Sequence, residues 1–322
     1  MKAIRFERFG GPEVLRCEEI ELPAPGANEV RVRHTAIGVN FIDAYHRSGL
    51  YPVPLPSGLG SEAAGVIEAL GAGVSGLRIG ERVAYATAFG AYAEANNVSA
   101  DKLVRIPPEV SDETAAAAML KGMTAQYLLM RTYAVNPGET ILFHAAAGGV
   151  GSIACQWARR LGATVIGTVG SNDKIALAEK YGCEHVLNTR GEDWVKRVRD
   201  ITKGEGAPVV YDGIGKDTWE GSLDCLAVRG TMVSFGNASG AVPPFAPGIL
   251  SAKGSLYLTR PTLFHYTRTA RELQATADDL FEAILSGAVG IDVNQRFRLV
   301  EAAKAHEALQ SRRTTGASIL IP

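Results

Sequence analysis

Glu139-Thr140-Ile141-Leu142-Phe143-His144-Ala145-Ala146-Ala147-Gly148-Gly149-Val150-Gly151 is the stretch that decides the fold. An apolar run, Ile141-Leu142-Phe143, enters a loop of small residues, and an amphipathic segment over residues 152–161 leaves it. That order of strand, turn and helix, with Ala146-x-Gly148-x-x-Gly151, has the spacing of a dinucleotide-binding turn. Gly148 lets the backbone approach a pyrophosphate, and Gly151 lets the helix pack closely on its strand. The helix N-terminus offers N–H groups and a partial positive charge to the phosphates. Alanine in place of the first glycine predicts a slightly more open turn at residue 146.

The same pattern continues on the C-terminal side. Strands and helices alternate from about Gly122 to Arg260, which predicts a doubly wound parallel sheet. Strands are expected at 164–169, 185–187, 209–212, 231–235 and 255–258, with helices at 172–181, 192–202 and 218–226. Upstream, the first third reads as β-rich. Val30, Val32 and His34 alternate with Arg31, Arg33 and Thr35, as a half-buried strand does. Residues 63–70, 82–86 and 91–95 are further strand candidates, with turns supplied at Gly71, Gly80 and Gly90. Short strands of this kind predict a partly closed barrel. An alanine-rich helix over 115–129 leads into the nucleotide strand. A helix over 269–285 and a strand over 318–321 finish the chain, and that strand has no obvious partner in the nucleotide sheet. The expected domains are therefore 1–122 together with 265–322, and 123–264.

Composition narrows the function. The 322 residues carry a formal net charge of −1 with no long block of one sign, which argues against nucleic acid or an anionic membrane as the main partner. No apolar run approaches the roughly 20 residues of a membrane span. The first six residues alternate like a strand rather than forming the apolar core of a signal peptide, so a cytoplasmic protein is expected. Cys17, Cys155, Cys183 and Cys225 are far apart, without a Cys-x-x-Cys pair or a Cys/His cluster, so no metal site is expected. His144 ends the strand before the turn; a hydrogen-bonded structural histidine is the favoured reading over a catalytic one.

The end of the second strand bears on the choice of cofactor. NAD sites place an acid about 20 residues past the glycines to grip the ribose hydroxyls. Here Gly170 and Ser171 stand at that point, with Lys174 within reach of a 2′-phosphate and Ser171 and Asn172 as hydrogen-bond donors. Asp173 is the opposing residue, and it reads equally as a cap or first-turn carboxylate of the next helix. The local charge favours NADPH.

Gly60-Ser61-Glu62-Ala63-Ala64-Gly65-Val66 followed by Gly80-Glu81-Arg82-Val83 resembles the medium-chain dehydrogenase/reductase superfamily. The zinc alcohol dehydrogenases of that superfamily have His where this chain has Ser61. Their N-terminal cysteine ligand and four-cysteine lobe have no counterpart here, so the chain resembles a zinc-free branch. Residues 40–45 (Asn-Phe-Ile-Asp-Ala-Tyr), 47–52 (Arg-Ser-Gly-Leu-Tyr-Pro), 234–237 (Ser-Phe-Gly-Asn) and 254–257 (Gly-Ser-Leu-Tyr) are closely similar to the NADPH:quinone oxidoreductase, or zeta-crystallin-like, group. So is Thr259-Arg260-Pro261, and the similarity runs from Gly10 to Pro322.

The resemblance implies an α/β protein: a Rossmann-type doubly wound parallel sheet domain plus a GroES-like, partly closed β-barrel catalytic domain. It implies that Phe41, Ile42 and Asp43 line the nicotinamide side, with Tyr127 near the cofactor. Gly148, Gly149, Val150 and Gly151 hold the pyrophosphate, and Gly170, Ser171 and Lys174 receive the 2′-phosphate. Phe235, Gly236 and Asn237 border the nicotinamide, and Arg312 approaches from the C-terminal segment. Several relatives carry Tyr or His where this chain has Thr189, so the adenosine end is either held more weakly or supported by Arg190. A homodimer through an edge strand of the nucleotide sheet is also implied.

Without a Lewis acid, a quinone is the acceptor that needs least help, because conjugation spreads the arriving charge. The expected reaction is NADPH-dependent quinone reduction with the acceptor held flat between the domains, mostly by placement in near-attack geometry. Tyr45, Asn40 and Tyr51 are the candidate catalytic residues: all three are donors to the developing oxyanion, and Tyr45 is the proton source. The bland alternative is that Tyr45 and Tyr51 only pack. One-electron and two-electron delivery stay open. Reduction of an activated C=C bond in an enone, alkenal or enoyl thioester is the rival chemistry, with Arg47, Arg260 and Arg268 as candidate basic residues at the mouth for a coenzyme A ester. A non-catalytic crystallin-like or RNA-binding role is the rival of another class, and the balanced charge speaks against the RNA role.

Overall fold

A computed structural model describes residues 1–322. The chain opens with β1 (Lys2–Arg5), β2 (Arg16–Glu19) and the long β3 (Glu29–Val39), followed by α1 (Phe41–Ser48). Four strands come next: β4 (Ala63–Leu70), β5 (Arg82–Tyr85), β6 (Ala95–Ser99) and β7 (Val104–Arg105). After α2 (Asp112–Tyr127), strands and helices alternate as β8 (Thr140–Phe143), α3 (Gly149–Arg160), β9 (Thr164–Val169), α4 (Ile175–Lys180) and β10 (His185–Asn188). The alternation goes on through α5 (Trp194–Ile201), β11 (Ala207–Asp212), α6 (Trp219–Asp224), β12 (Leu226–Ser234), α7 (Gly248–Ala252) and β13 (Tyr257–Thr259). The chain ends with α8 (Leu263–Tyr266), α9 (Ala270–Leu285), β14 (Val293–Arg298), α10 (Ala302–Gln310) and β15 (Ala317–Ile321). Two compact units result. One comprises Met1–Met123, Thr267–Leu285 and Ile291–Pro322; the other comprises Thr124–Tyr266 and Ser286–Gly290.

The first unit is organised by β3. One edge of this strand pairs antiparallel with β4, and the other is shared between β6, which takes residues 29–33, and β15, which takes residues 37–39. The alternation read in the sequence puts Val30, Val32 and His34 inside. Val30 and Val32 pack with Ile67, Val83, Tyr85 and Leu320 into one core, and the His34 ring lies against Tyr85. Residues 91–94 do not form the expected strand, and β6 begins only at Ala95. Their backbone groups bond separate partners: Tyr92 N–H donates to Leu59, Ile4 N–H to Tyr92, and His34 N–H to Glu94. No single neighbour offers them a ladder. The helix α1 was not legible as a helix; Asn40 caps its start and Gly49, at φ 82°, ends it.

The second unit is a six-stranded sheet in the order β10-β9-β8-β11-β12-β13, with every pairing parallel. The chain starts in the middle at β8, runs out to β10, then crosses to β11. The order therefore reverses between β8 and β11, the place where doubly wound sheets bind ligands. Leu142, Ile166, Val210 and Met232 form the buried centre, covered by Trp219 and Leu223 of α6. The alanine-rich helix starts at Asp112 and stops being α-helical at Tyr127, continuing as one wider turn over Leu128–Thr132.

Candidate active site

In the second unit the chain leaves β8 and turns at once. Ala145 adopts a left-handed conformation, φ 55°, and Gly148 N–H closes back onto the Ala145 carbonyl at 2.9 Å. Ala146 N–H donates to Thr168 of β9 at 2.9 Å, and the alanine is fully buried. The opening expected from alanine at 146 does not occur. The left-handed residue is Ala145, so position 146 has no need of glycine's freedom.

Gly148 is the N-cap of α3, whose first N–H groups have no carbonyl one turn earlier to accept them. A Cβ on Gly151 would lie 2.2 Å from the Ala145 carbonyl oxygen and 2.8 Å from Ala146 Cα, so only glycine fits there. The turn thus has the two features a pyrophosphate needs: backbone that can be approached, and a helix N-terminus directly behind it. Gly149 and Val150 form the first turn of that helix.

The other expected nucleotide residues stand at the C-terminal ends of neighbouring strands. Gly170 follows β9 with no atom within 4 Å of the position of a Cβ. Ser171 and Lys174 are half-buried on the turn that follows. The Ser171 hydroxyl and a backbone N–H hold the Asp173 carboxyl below its usual range, so this acid already has local partners. After β10, Thr189 spends its hydroxyl on the Val169 carbonyl at 3.3 Å, while Arg190 is exposed. Asn188 ties this loop to the previous one through Asn172 at 2.6 Å. Phe235, Gly236 and Asn237 follow β12. A Cβ on Gly236 would lie 2.3 Å from the Gly213 carbonyl, and Arg260 Nη1 donates to the carbonyls of Ser234 and Gly236 at 2.8 and 3.0 Å. Tyr127 is buried and stacked on Tyr266, with ring centroids 4.3 Å apart.

Beneath the turn lies a closed polar chain. The Thr168 hydroxyl meets His144 Nδ1 at 2.9 Å, His144 Nε2 meets Ser222 Oγ at 2.9 Å, and Ser222 donates to Asp212 Oδ2 at 2.8 Å. Asp212 also accepts Thr218 on Oδ2 and the N–H groups of Ile214 and Gly215 on Oδ1. His144 is buried, hydrogen-bonded on both nitrogens and held neutral by burial, as a structural histidine is.

In the first unit, the candidate catalytic groups lie on and around α1: Tyr45 within it, Asn40 at its N-cap and Tyr51 just after it. Phe41 and Tyr45 lie one turn apart, with ring centroids 6.2 Å apart, and Tyr45 meets Tyr51 edge-on at 5.2 Å. His46 closes the cluster. Its Nδ1 bonds the Tyr51 carbonyl at 3.1 Å, and its ring packs edge-on against Tyr51 and Phe89. Phe41, Ile42, Tyr45 and Tyr51 are half-buried. Asn40 is buried and gives a side-chain N–H to Glu62 Oε2 at 2.8 Å. Asp43 is wholly buried and bonds back to Asn40 N–H at 2.8 Å. The exposed Arg312, left-handed at φ 59°, also belongs to this unit. No group of three His, Cys, Asp or Glu side chains is arranged to hold a metal ion.

Comparisons with known proteins bear directly on this geometry. Residues 26–140 match the alcohol dehydrogenase GroES-like domain, and residues 149–283 match the zinc-binding dehydrogenase family. The chain is 56% identical to a quinone oxidoreductase of Pseudomonas aeruginosa, over 100% of this chain and 99% of that one. The crystal structure of Escherichia coli quinone oxidoreductase complexed with NADPH superposes with a TM-score of 0.99 at 53% identity, covering all of both chains. This chain belongs to the quinone oxidoreductase family. A 2-haloacrylate reductase of Burkholderia sp. is also similar, at 46% identity over 98% of each chain. The fold is therefore a Rossmann-type domain joined to a GroES-like one.

The GroES-like unit also holds a buried polar cluster whose role the sequence did not disclose. Glu62 is fully buried and takes Lys121 Nζ at 3.2 Å, Asn40 at 2.8 Å and Leu120 N–H at 2.6 Å. A signal existed: Lys121 is the sole charged residue between Glu113 and Arg131, in an otherwise apolar helix. Arg47 requires a correction. Proposed as a basic residue at a mouth, it is 1% exposed, and it bonds Gly10 O, His306 and Gln310. Alternation on a short helix gave no warning of this, because its partners come from the far end of the chain.

Proposed function

We propose that this protein reduces quinones with NADPH. The observation that carries the reading is the full-length match, at 53% identity, to a quinone oxidoreductase complexed with NADPH. The nucleotide turn fits such a group: Gly148 and Gly151 leave its backbone open, and α3 presents its N-terminus. When bound, NADPH supplies a hydride equivalent. Gly170, Ser171 and Lys174 take the 2′-phosphate, for which Lys174 is the charge partner and Ser171 exchanges its Asp173 contact. Phe235, Gly236 and Asn237 form the nicotinamide side, in a loop that Arg260 holds by its carbonyls.

On the first unit, Tyr45 and Tyr51 supply two aromatic rings packed edge to face and two hydroxyls for the acceptor. Asn40 supplies an amide N–H beyond the one given to Glu62. Donors fixed in place before charge develops lower the barrier without reorganisation. A cytoplasmic location belongs to the same proposal, since dissolved NADPH is the reductant. A homodimer does as well: β13 is the edge of the nucleotide sheet, and Tyr257 on it and Val228 on the neighbouring β12 are 62% and 73% exposed.

The test is NADPH oxidation followed by absorbance against a panel of quinones and enones, repeated with NADH. Quinone turnover is expected, with Lys174→Ala raising the NADPH KM about tenfold or more and leaving that for NADH nearly unchanged. Enone turnover with inert quinones would replace this reading with reduction of an activated C=C bond, the chemistry suggested by the 2-haloacrylate reductase relative.

A further inference from the structure

A hydrogen-bond chain of fixed direction runs through the first unit and ends on a carboxylate that it satisfies on one side only. Arg47 Nη1 lies 3.1 Å from His306 Nδ1, and a guanidinium can only donate, so Nδ1 accepts. The neutral ring, which burial and Arg47 hold far below its ordinary range, must then carry its proton on Nε2. Nε2–H donates to the Tyr92 oxygen at 3.1 Å, and the Tyr92 hydroxyl donates to Asp43 Oδ2 at 3.0 Å. The second donor to Asp43, Asn40 N–H, reaches the same oxygen. Oδ1 is buried with no hydrogen-bond partner.

Two donors on one oxygen and none on the other is the arrangement of a carboxyl that can take a proton without breaking a bond. A charged oxygen buried without partners is expensive, and protonation there exchanges that cost for the smaller one of a buried hydroxyl without an acceptor. We propose that Asp43 gains and loses a proton at Oδ1 in the working pH range, and that its charge state sets quinone reduction by acting through Asn40. This rests on the quinone reading above.

The ionisable neighbours are Arg47 on α1, Glu62 just before β4, Lys121 on α2, His306 on α10 and Tyr92 before β6. Glu62 and Lys121 pair with each other, Arg47 faces neutral His306, and the Tyr92 phenol is held protonated by burial and by Asp43. Burial pushes the Asp43 carboxyl up to about 7; the bonds from Asn40 and Tyr92 and the charge of Lys121 hold it from going higher, while Glu62 adds to the rise.

Quinone reduction builds negative charge on the acceptor oxygen. With Asp43 ionised, that charge develops against an uncompensated anion bonded to the Asn40 backbone N–H, whereas Glu62, which accepts from the Asn40 side chain, is paired with Lys121. With Asp43 protonated it does not. Asp43 is thus a positioning residue whose neutral form is the faster one, and kcat/KM for quinone should fall as pH rises through its titration.

The experiment measures kcat/KM for a small benzoquinone against pH in wild type, Asp43→Asn and Tyr92→Phe, with NADPH binding followed separately by fluorescence. Expected are a basic limb in wild type, no limb in Asp43→Asn, and a limb moved up by about one unit in Tyr92→Phe, which loses a donor to the ionised form. An infrared carbonyl band of a protonated carboxyl should be present in wild type below neutrality and absent in Asp43→Asn. No such band overturns the protonation. A limb that persists unmoved in both variants, or a flat wild-type profile, overturns the kinetic role. If Asp43→Asn does not fold, the direction of the Tyr92→Phe shift decides. Absence of quinone turnover at every pH, with the infrared band present, would defeat the quinone reading and leave the protonation standing.

Discussion

Each unit buries one chain of the same grammar: donor, histidine Nδ1, histidine Nε2, hydroxyl, carboxylate. In the nucleotide unit it runs Thr168, His144, Ser222, Asp212; in the GroES-like unit it runs Arg47, His306, Tyr92, Asp43. They differ at the last atom. Asp212 accepts four donors, two on each oxygen, whereas Asp43 accepts two on Oδ2 and none on Oδ1. A filled carboxylate is a structural rivet, because its charge is solvated by the protein in place of water. A half-filled one is a group whose charge is conditional. The same parts therefore make a fixed point under the nucleotide turn and a conditional one on α1.

The largest effect should come from emptying the rivet. Asp212→Asn replaces an acceptor-only group with an amide whose N–H₂ faces two donors, leaving buried hydroxyls or N–H groups unpaired. A loss of about 4 kcal/mol in chemical denaturation is expected. Asp43→Asn should cost less, about 1 to 2 kcal/mol near neutrality, because on the bare side its N–H₂ meets no opposing donor and lacks only an acceptor. Equal losses for the two variants would remove the distinction between filled and half-filled carboxylates.

The second contrast is in pH. Burial raises folded Asp43 from 3.8 to about 7, so the folded state binds this proton more tightly than the unfolded chain. Its stabilising contribution is complete below pH 3.8 and is lost as pH rises to about 7. The stability of Asp43→Asn relative to wild type should therefore climb across that window, by about 4 kcal/mol, and then level off. His306 and His34, lowered by burial to about 3 and about 4, act with the opposite sign. Their contribution is present above pH 6.5 and is lost as pH falls, in wild type and variant alike, so the difference between the two proteins isolates Asp43. A relative stability independent of pH would show that Asp43 does not titrate in the folded state.

The two chains also mark what the sequence could and could not disclose. The nucleotide turn was legible because its chemistry is local: the apolar run, the small loop and the helix lie within about two dozen consecutive residues. The sheet followed from alternation, and the C-terminal strand from having no place in it; it pairs with β3. The polar chains were illegible because they are assembled across the sequence. Arg47 and His306 are 259 positions apart, and Tyr92 and Asp43 are 49. Arg47 on a short helix looks like a solvated cation until the partner that buries it is known. Residues 91–94 failed as a strand for the same reason, since their backbone bonds go to different segments. The left-handed Ala145 was hidden too, because alanine rarely takes that conformation without tertiary constraint.

The smallest and most discriminating contrast removes the hydroxyl from each chain. Ser222→Ala and Tyr92→Phe both leave a buried histidine Nε2–H without its acceptor, a cost of about 1 to 2 kcal/mol in either unit. What happens next should differ. Asp212 still holds three donors after Ser222→Ala, so its charge stays solvated and the cost should be the same at pH 6 as at about pH 8. Asp43 keeps one donor after Tyr92→Phe, which penalises its ionised form and leaves its protonated form almost untouched. The cost of Tyr92→Phe should therefore be smaller at the acid end and grow with pH, by about 1 kcal/mol over the same interval. Denaturant titrations at the two pH values measure both slopes. Parallel slopes would mean that the bare Asp43 oxygen is no more conditional than the filled ones of Asp212; diverging slopes tie the divergence to a single missing partner on Oδ1.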